Sequence, residues 1–248
     1  MNTDLTKAVL KTLPEGKVEQ VCIGLHWTAV VLTVNGERRC GIASTLGGNH
    51  IHGEPDVPQA GQLDKNTGKE LARLIFSNQP LLSGIGAAAI NALLPRLSYT
   101  RENANAEEII ARHGAGKSVA LVGHFSFVSR LASRVGDLSV LELNPQPGDL
   151  PAEMAAEIIP KAQVVAISGS TIINHTLSDL LALCQPDSLV IILGPSTLLS
   201  PVLFDYGVDF LCGAVVEEID PVLKTIQQGG DFRQVHRTGV KLVTIRRK

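Results

Sequence analysis

Hydrophobic positions along the 248-residue chain follow two rhythms. In the first, Leu5, Val9, Leu10 and Leu13 recur at helical spacing over residues 3–13, and Pro14-Glu15-Gly16 stops the pattern. Strand-like runs follow at 18–22, 28–34 and 39–44, with Asn35-Gly36 between the last two, a strong signal for a tight hairpin. Residues 45–64 are rich in Gly, His, Pro and Asp and poor in apolar side chains. Loops of that length in compact domains are more often functional than not. Helical patterns at 67–77 and 83–97 close this part. The second carries Gly84-Ile85-Gly86-Ala87-Ala88-Ala89, small residues that let a neighbouring element approach closely. Residues 1–100 therefore read as a smaller α+β domain.

The polar stretch 98–106 reads as the boundary, with a short helix at 106–113. From there the rhythm changes. Apolar runs at 118–122, 139–143, 163–167, 189–193 and 208–211 alternate with helical patterns at 127–135, 151–159, 171–184, 198–206 and 217–228. Strands alternating with helices imply right-handed crossovers and an open, mostly parallel sheet with both faces covered, spanning residues 101–248. Residues 240–245 fit a last edge strand, antiparallel in one arrangement. The fold class is α/β.

In such a sheet ligands gather at the carboxyl ends of the strands, where strand order reverses. The loops expected there are Gly123–Ser126, Asn144–Pro147, Ser168–Thr171, Gly194–Thr197 and Gly213–Val215. The first four contain no Asp, Glu, Lys or Arg. Ser168-Gly169-Ser170-Thr171 and Gly194-Pro195-Ser196-Thr197 form a matched pair. Backbone N–H groups and hydroxyls at a helix start bind phosphate, carboxylate or oxyanion groups, and the same residues also serve as plain N-caps. Asn174 and His175 fall on the first turn of the next expected helix, facing the same crevice, and His124 follows the first strand of the second domain. His175 and His124 are the titratable candidates, with a core or capping role as the alternative for His175. Glu142 stands where a carboxylate could meet a ribose hydroxyl or an amine, or simply face solvent. Gly123-His124-Phe125-Ser126 lacks the Gly-x-Gly-x-x-Gly pattern, which disfavours ordinary dinucleotide binding. Gly114-Ala115-Gly116-Lys117 precedes a strand instead of following one, so it is no phosphate loop. In the long loop, His50 and His52 lie on one side of an extended chain and with Glu54 could hold zinc or a similar ion, the alternative being a solvated polar loop.

Composition narrows the classes. A net charge of −2 with mixed signs gives no basic footprint for nucleic acid, and nine aromatic residues give no stacking platform. Four scattered cysteines without a Cys-x-x-Cys pattern, and no secretory signal pattern, fit reduced, mostly buried thiols in a cytoplasmic protein. No apolar run is long enough to span a membrane.

Gly123–Phe125, Asn144-Pro145, the run from Ser168 to Thr176 and Leu193–Thr197 together resemble the DUF364 family, the heavy-metal chelation domain. Ser168 stands where the family pattern has Thr, and a hydroxyl is retained. The small-residue segment 84–92 with Asn91, and the meander before it, resemble that family's usual first domain, which has an enolase N-terminal-like fold. The resemblance implies a Rossmann-like second domain and a cleft between the domains that binds a heavy-metal ion, a metal chelate or a small anionic ligand. Within it Ser168, Gly169, Ser170, Thr171, Asn174, Gly194, Pro195, Ser196, Thr197 and Asn144 would contact ligand. Thr45, Asn91 or the 50–54 loop would close the site. A chelatase-like enzyme and a non-catalytic metal-chelate sensor both fit. A nucleotide- or S-adenosylmethionine-dependent enzyme rests on fold analogy alone. Whether a homodimer completes the site stays open.

Overall fold

The computed structural model describes residues 4–47, 53–95, 101–102 and 105–247. Helix α1 (Asp4–Lys11) leads into an antiparallel meander of β1 (Lys17–Ile23), β2 (Trp27–Val34) and β3 (Glu37–Ser44). Helices α2 (Gly68–Arg73) and α3 (Pro80–Leu93) follow. The second half runs β4 (Arg101–Glu102), α4 (Ala106–Gly114), β5 (Ser118–Val122), α5 (Val128–Ala132), β6 (Asp137–Glu142), β7 (Leu150–Pro151) and α6 (Ala155–Ile158). It continues with β8 (Val164–Ser168), α7 (Leu177–Ala182), β9 (Leu189–Leu193), β10 (Phe210–Val216), α8 (Ile219–Gln227), α9 (Phe232–Arg237) and β11 (Val240–Arg246). No helix among the described residues is long and apolar enough to cross a membrane.

The β2–β3 hairpin turns as the sequence predicts. Asn35 (φ 52°) and Gly36 (φ 79°) both take the left-handed conformation that a two-residue turn of this hand requires. Strand β2 is apolar without alternation because both of its faces are covered. Val30, Leu32 and Val34 pack with α3, while Ala29 and Val31 pack with Val222, Leu223 and Ile226 of α8. Helix α3 approaches the sheet closely, as its small residues predict. Gly41 of β3 lies against the α3 backbone, and a Cβ there would fall inside the Ala88 carbonyl and the Ala92 amide.

The eight strands of the second sheet lie in the order β4-β11-β10-β9-β8-β5-β6-β7. All pairs from β10 to β7 are parallel, and β11 is antiparallel to both β10 and β4. One face packs on α4 and α5 through Val119, Leu121, Val164, Ala166 and Ile191. The other carries Val165, Ile167, Val190 and Ile192 into a core continuous with that of α1–α3. This is the doubly covered α/β sheet expected.

Several helices depart from their patterns. The pattern at 171–184 yields a 3-10 turn over Gly169–Ile172 and an α-helix only from Leu177. His175, left-handed at φ 64°, breaks the run between them. The pattern at 198–206 yields no α-helix. Pro201 holds Ser200 extended (ψ 123°), and a 3-10 segment Pro201–Tyr206 follows. The expected loop 213–215 is part of β10. Helix α9 was not anticipated, although Asp231 and Gln234 form a capping box at its start.

The halves are joined by more than apolar contact. The Ser44 N–H, at the end of β3, donates to Ser196 Oγ at 2.9 Å, and the two hydroxyls lie 3.0 Å apart. No disulfide links the four cysteines. Burial pushes the Cys40 thiol up to about 12 and the Cys184 thiol up to about 11, and raises that of Cys22.

These contacts predict three outcomes. Gly41→Ala, forcing β3 off α3, should lower stability by about 3 kcal/mol in urea unfolding, at the upper end of overpacking penalties. Ser196→Ala strips the Ser44 N–H of its acceptor at a 2% exposed position and should cost about 1–3 kcal/mol in the same assay. From the ordinary thiol value of 9.0 up to about 12, the unfolded chain loses the Cys40 proton while the folded chain keeps it. Stability therefore falls as pH rises through that window, and Cys40→Ala should flatten this part of a urea-midpoint profile.

Candidate functional site

Strand order reverses between β5 and β8. The chain leaves β5 for β6 on one side and then returns to lay β8 on the other. Loops leaving the two strands in opposite directions open a crevice at their carboxyl ends. A cavity of about 290 Å³ lies there, lined among others by Gly123, His124, Glu142, Ser168, Ser170 and Asn174.

The side chains in this crevice hold one another in place. His124 Nδ1 lies 2.9 and 3.0 Å from the two Asp149 carboxylate oxygens. A carboxylate only accepts, so the imidazole donates from Nδ1. The Asp149 side chain is 2% exposed and that of His124 28%. Glu142 ties the loops together, accepting from the His124 N–H at 2.8 Å and the Leu143 N–H at 2.7 Å. Asp149 closes the turn Gln146-Pro147-Gly148-Asp149. Its N–H donates to the Gln146 carbonyl at 2.9 Å, and its carboxylate accepts from the Gln146 N–H at 3.0 Å. Gly148 has φ 98°, the conformation that a Pro-Gly turn of this type needs.

On the opposite wall, the Ser168 and Ser170 hydroxyls lie 2.9 Å apart, and Ser168 Oγ accepts from the Ser170 N–H. Asn174 Oδ1 accepts from the Thr176 N–H and hydroxyl, at 3.3 and 2.7 Å. That fixes the amide of Asn174, which lines the crevice. Gly169 lets the β8 exit touch the β9 exit, since a Cβ there would strike Thr197.

The other predicted residues lie elsewhere or are otherwise engaged. The helix N-terminus expected after β8 does not form, so Ser168–Thr171 present a 3-10 turn and hydroxyls instead of an α-helical N–H array. Thr171 donates back to the Ser168 carbonyl. Ser196 and Thr197 are 2% and 0% exposed, with Ser196 bound to Ser44 and no helix start beside them. Gly194 and Pro195 line a second, more apolar cavity of about 250 Å³ with Phe125, Phe127 and Phe232. His175 does not line the crevice. Its Nε2–H donates to the Ser77 carbonyl at 2.9 Å, joining the two halves of the chain. Asn91 donates to the Ile42 carbonyl and Thr45 pairs with Thr28. Asn144 is exposed. His50 and His52 lie outside the described residues, and Glu54 is exposed.

Sequence reading overlooked Asp149 by ending its loop at Pro147. The Pro147-Gly148 turn signal, which carries the chain back toward His124, could have found it. Among the described residues no group of three or more His, Cys, Asp or Glu side chains converges to hold a metal ion, and burial holds Cys40 and Cys184 as protonated thiols.

Comparison with known proteins agrees with this architecture. Residues 6–94 match the DUF4213 family and residues 105–245 the DUF364 family, both described as "putative heavy-metal chelation". An uncharacterised protein of Methanocaldococcus jannaschii is 27% identical over 218 residues, covering 84% of this chain and 82% of its own. Crystal structures of two DUF364 proteins of unknown function share the fold. That from Desulfitobacterium hafniense has a TM-score of 0.83 at 24% identity, covering 99% of this chain and 98% of its own. That from Pyrococcus horikoshii has a TM-score of 0.83 at 21% identity, covering 98% of each. With more than half of its length matched by one family and the doubly covered sheet shared with that family's structures, the chain belongs to DUF364.

Proposed function

We propose that the protein binds a heavy metal, as an ion or as a chelate with a small organic molecule, in the crevice at the carboxyl ends of β5, β6 and β8. The observation that carries this reading is His124, which lines a cavity of about 290 Å³ and is anchored there by its Nδ1–H donating to Asp149. The family description supplies the class of ligand.

The cavity's size and its mix of apolar and hydrogen-bonding groups suit a small molecule. Leu141, Ala152, Ala155 and Leu180 supply apolar wall. Ser168, Ser170 and Asn174 supply neutral hydrogen bonds for ligand oxygens. The bound metal would act as a Lewis acid toward the imidazole nitrogen. The chain's part is to orient the ligand and exclude water.

Calorimetric titration with Ni²⁺ and with Ni²⁺–nitrilotriacetate tests the assignment. His124→Ala should abolish the protein-dependent signal for at least one of the two. Ser170→Ala should weaken that binding about threefold to tenfold, the worth of one hydrogen bond. Ser196→Ala, although destabilising, should bind as the native protein does. Native-like binding of both probes by His124→Ala and Ser170→Ala would exclude the crevice as the site.

A further inference from the structure

The second cavity, of about 250 Å³, differs from the crevice in its chemistry. It lies between the exit loops of β5 and β9 and the strands β10 and β11, and it gathers Phe125, Phe127 and Phe232, three of the six phenylalanines in the chain. All three are only half-buried, and Leu242 beside them is 46% exposed. Apolar surface left in water there favours an occupant that covers it. The Phe125 and Phe127 rings stack with centroids 5.2 Å apart and planes 15° apart. Phe232 is held by Trp27, with centroids at 5.2 Å and planes at 53°. Gly194 (φ 104°) keeps the space beside this stack clear. The atom nearest to a Cβ placed there would be Phe125 Cε1, at 3.8 Å.

We infer that this cavity binds an uncharged, planar, two-ring aromatic molecule. Charge comes first. Glu107 is the only charged residue among those described in the lining, and its carboxylate accepts from Arg130 at 2.8 and 3.2 Å, with Arg134 at 3.5 Å. An ionic ligand would lose its hydration and find no uncommitted counter-charge in the lining. Size comes second. A cavity of ~150 Å³ holds one benzene ring, so about 250 Å³ accommodates two fused rings. Shape comes third. Aromatic rings attract one another in offset-stacked or edge-to-face contacts beyond what area burial supplies. A flat ring extends the Phe125–Phe127 stack, whereas a puckered ring with the same carbon skeleton gains only the area. Phe125 lines both cavities, while Phe127 and Phe232 line this one and not the crevice. The inference is therefore independent of metal binding.

The probes are 2-naphthol, neutral at pH 7, and its saturated, puckered counterpart decahydro-2-naphthol, each titrated calorimetrically into the full chain. The native protein should bind 2-naphthol at one site and decahydro-2-naphthol about tenfold more weakly, the worth of one or two ring contacts. Phe127→Leu and Phe232→Leu keep apolar bulk at the walls. Each should weaken 2-naphthol roughly twofold to tenfold and leave decahydro-2-naphthol unchanged. A merely structural effect would weaken both probes alike. Nuclear Overhauser contacts from 2-naphthol to the Phe127 ring and the Val243 methyls should place the ligand in the native protein, which decides the site even where a variant fails to fold. No binding of 2-naphthol, or equal affinity for the two probes, would overturn the inference. Binding without those contacts, or indifferent to both leucine variants, would remove it from this cavity. A dimer in sedimentation that excludes 2-naphthol and is dissolved by Leu242→Lys would assign the cavity to a second copy of the chain and overturn the small-molecule reading.

Discussion

Strand β2 is covered on both faces, and much of the molecule's arrangement follows from that burial. Ala29, Val30, Val31 and Leu32 are all fully buried, with alternate side chains directed to opposite layers. Val30, Val31 and Leu32 each contribute about 1.5–3 kcal/mol when fully withdrawn from water, and Ala29 less. The share of Ala29 and Val31 depends on α8, which comes from the far end of the chain. The meander therefore cannot bury its central strand against α3 alone. Once both layers are in place, the carboxyl end of β3 has a fixed address. Ser44 meets Ser196 in the exit loop of β9, that loop touches the exit of β8 where Gly169 meets Thr197, and the β8 exit carries Ser168 and Ser170 into the crevice. A chain of short contacts connects the first sheet's register to the wall of the site.

Elements defined by solvent or by complete burial were legible in the sequence, and those defined by a neighbour were less so. The Asn35-Gly36 hairpin, the parallel strands and the presence of β11 follow from turn chemistry and apolar runs, whereas β11 lies inside β4 and not at the expected edge. The small residues of α3 announced a close approach that Gly41 then makes from the other side. Helical patterns did worse after β8 and β9. Apolar residues recur at helical spacing there, yet left-handed His175 and the demand of Pro201 on Ser200 divert the backbone. Periodicity reports which side chains are buried, and a 3-10 turn or an irregular segment over a core can bury the same ones.

The two Ser/Thr loops show the same limit at the level of the site. Ser168–Thr171 and Gly194–Thr197 look interchangeable as sequence, and they occupy adjacent strand ends. What separates them is what stands opposite. The first faces β5 across the reversal of strand order, where the loops diverge and leave space. The second meets the end of β3, where Ser44 contacts Ser196, while Gly194 and Pro195 line a separate apolar cavity. The Ser196 hydroxyl is consumed in holding the halves together, whereas Thr197 Oγ1 is buried with no hydrogen-bond partner among the described residues. Nothing within either loop encodes that difference, because it is set by the neighbouring sheet.

The same reasoning bears on how His124 is held. A buried carboxylate is tolerated only with hydrogen bonds around it, since withdrawing its charge from water costs several kcal/mol. Asp149 obtains them from Gln146 within its own turn and from His124 across the crevice. The Pro147-Gly148 turn fixes the carboxylate whether or not the imidazole is correctly placed, so the imidazole must bring Nδ1–H to it. A histidine free to choose its tautomer would divide its lone pair between two nitrogens and two directions. Here a turn some 25 residues away engages Nδ1, in a side chain that lines the cavity.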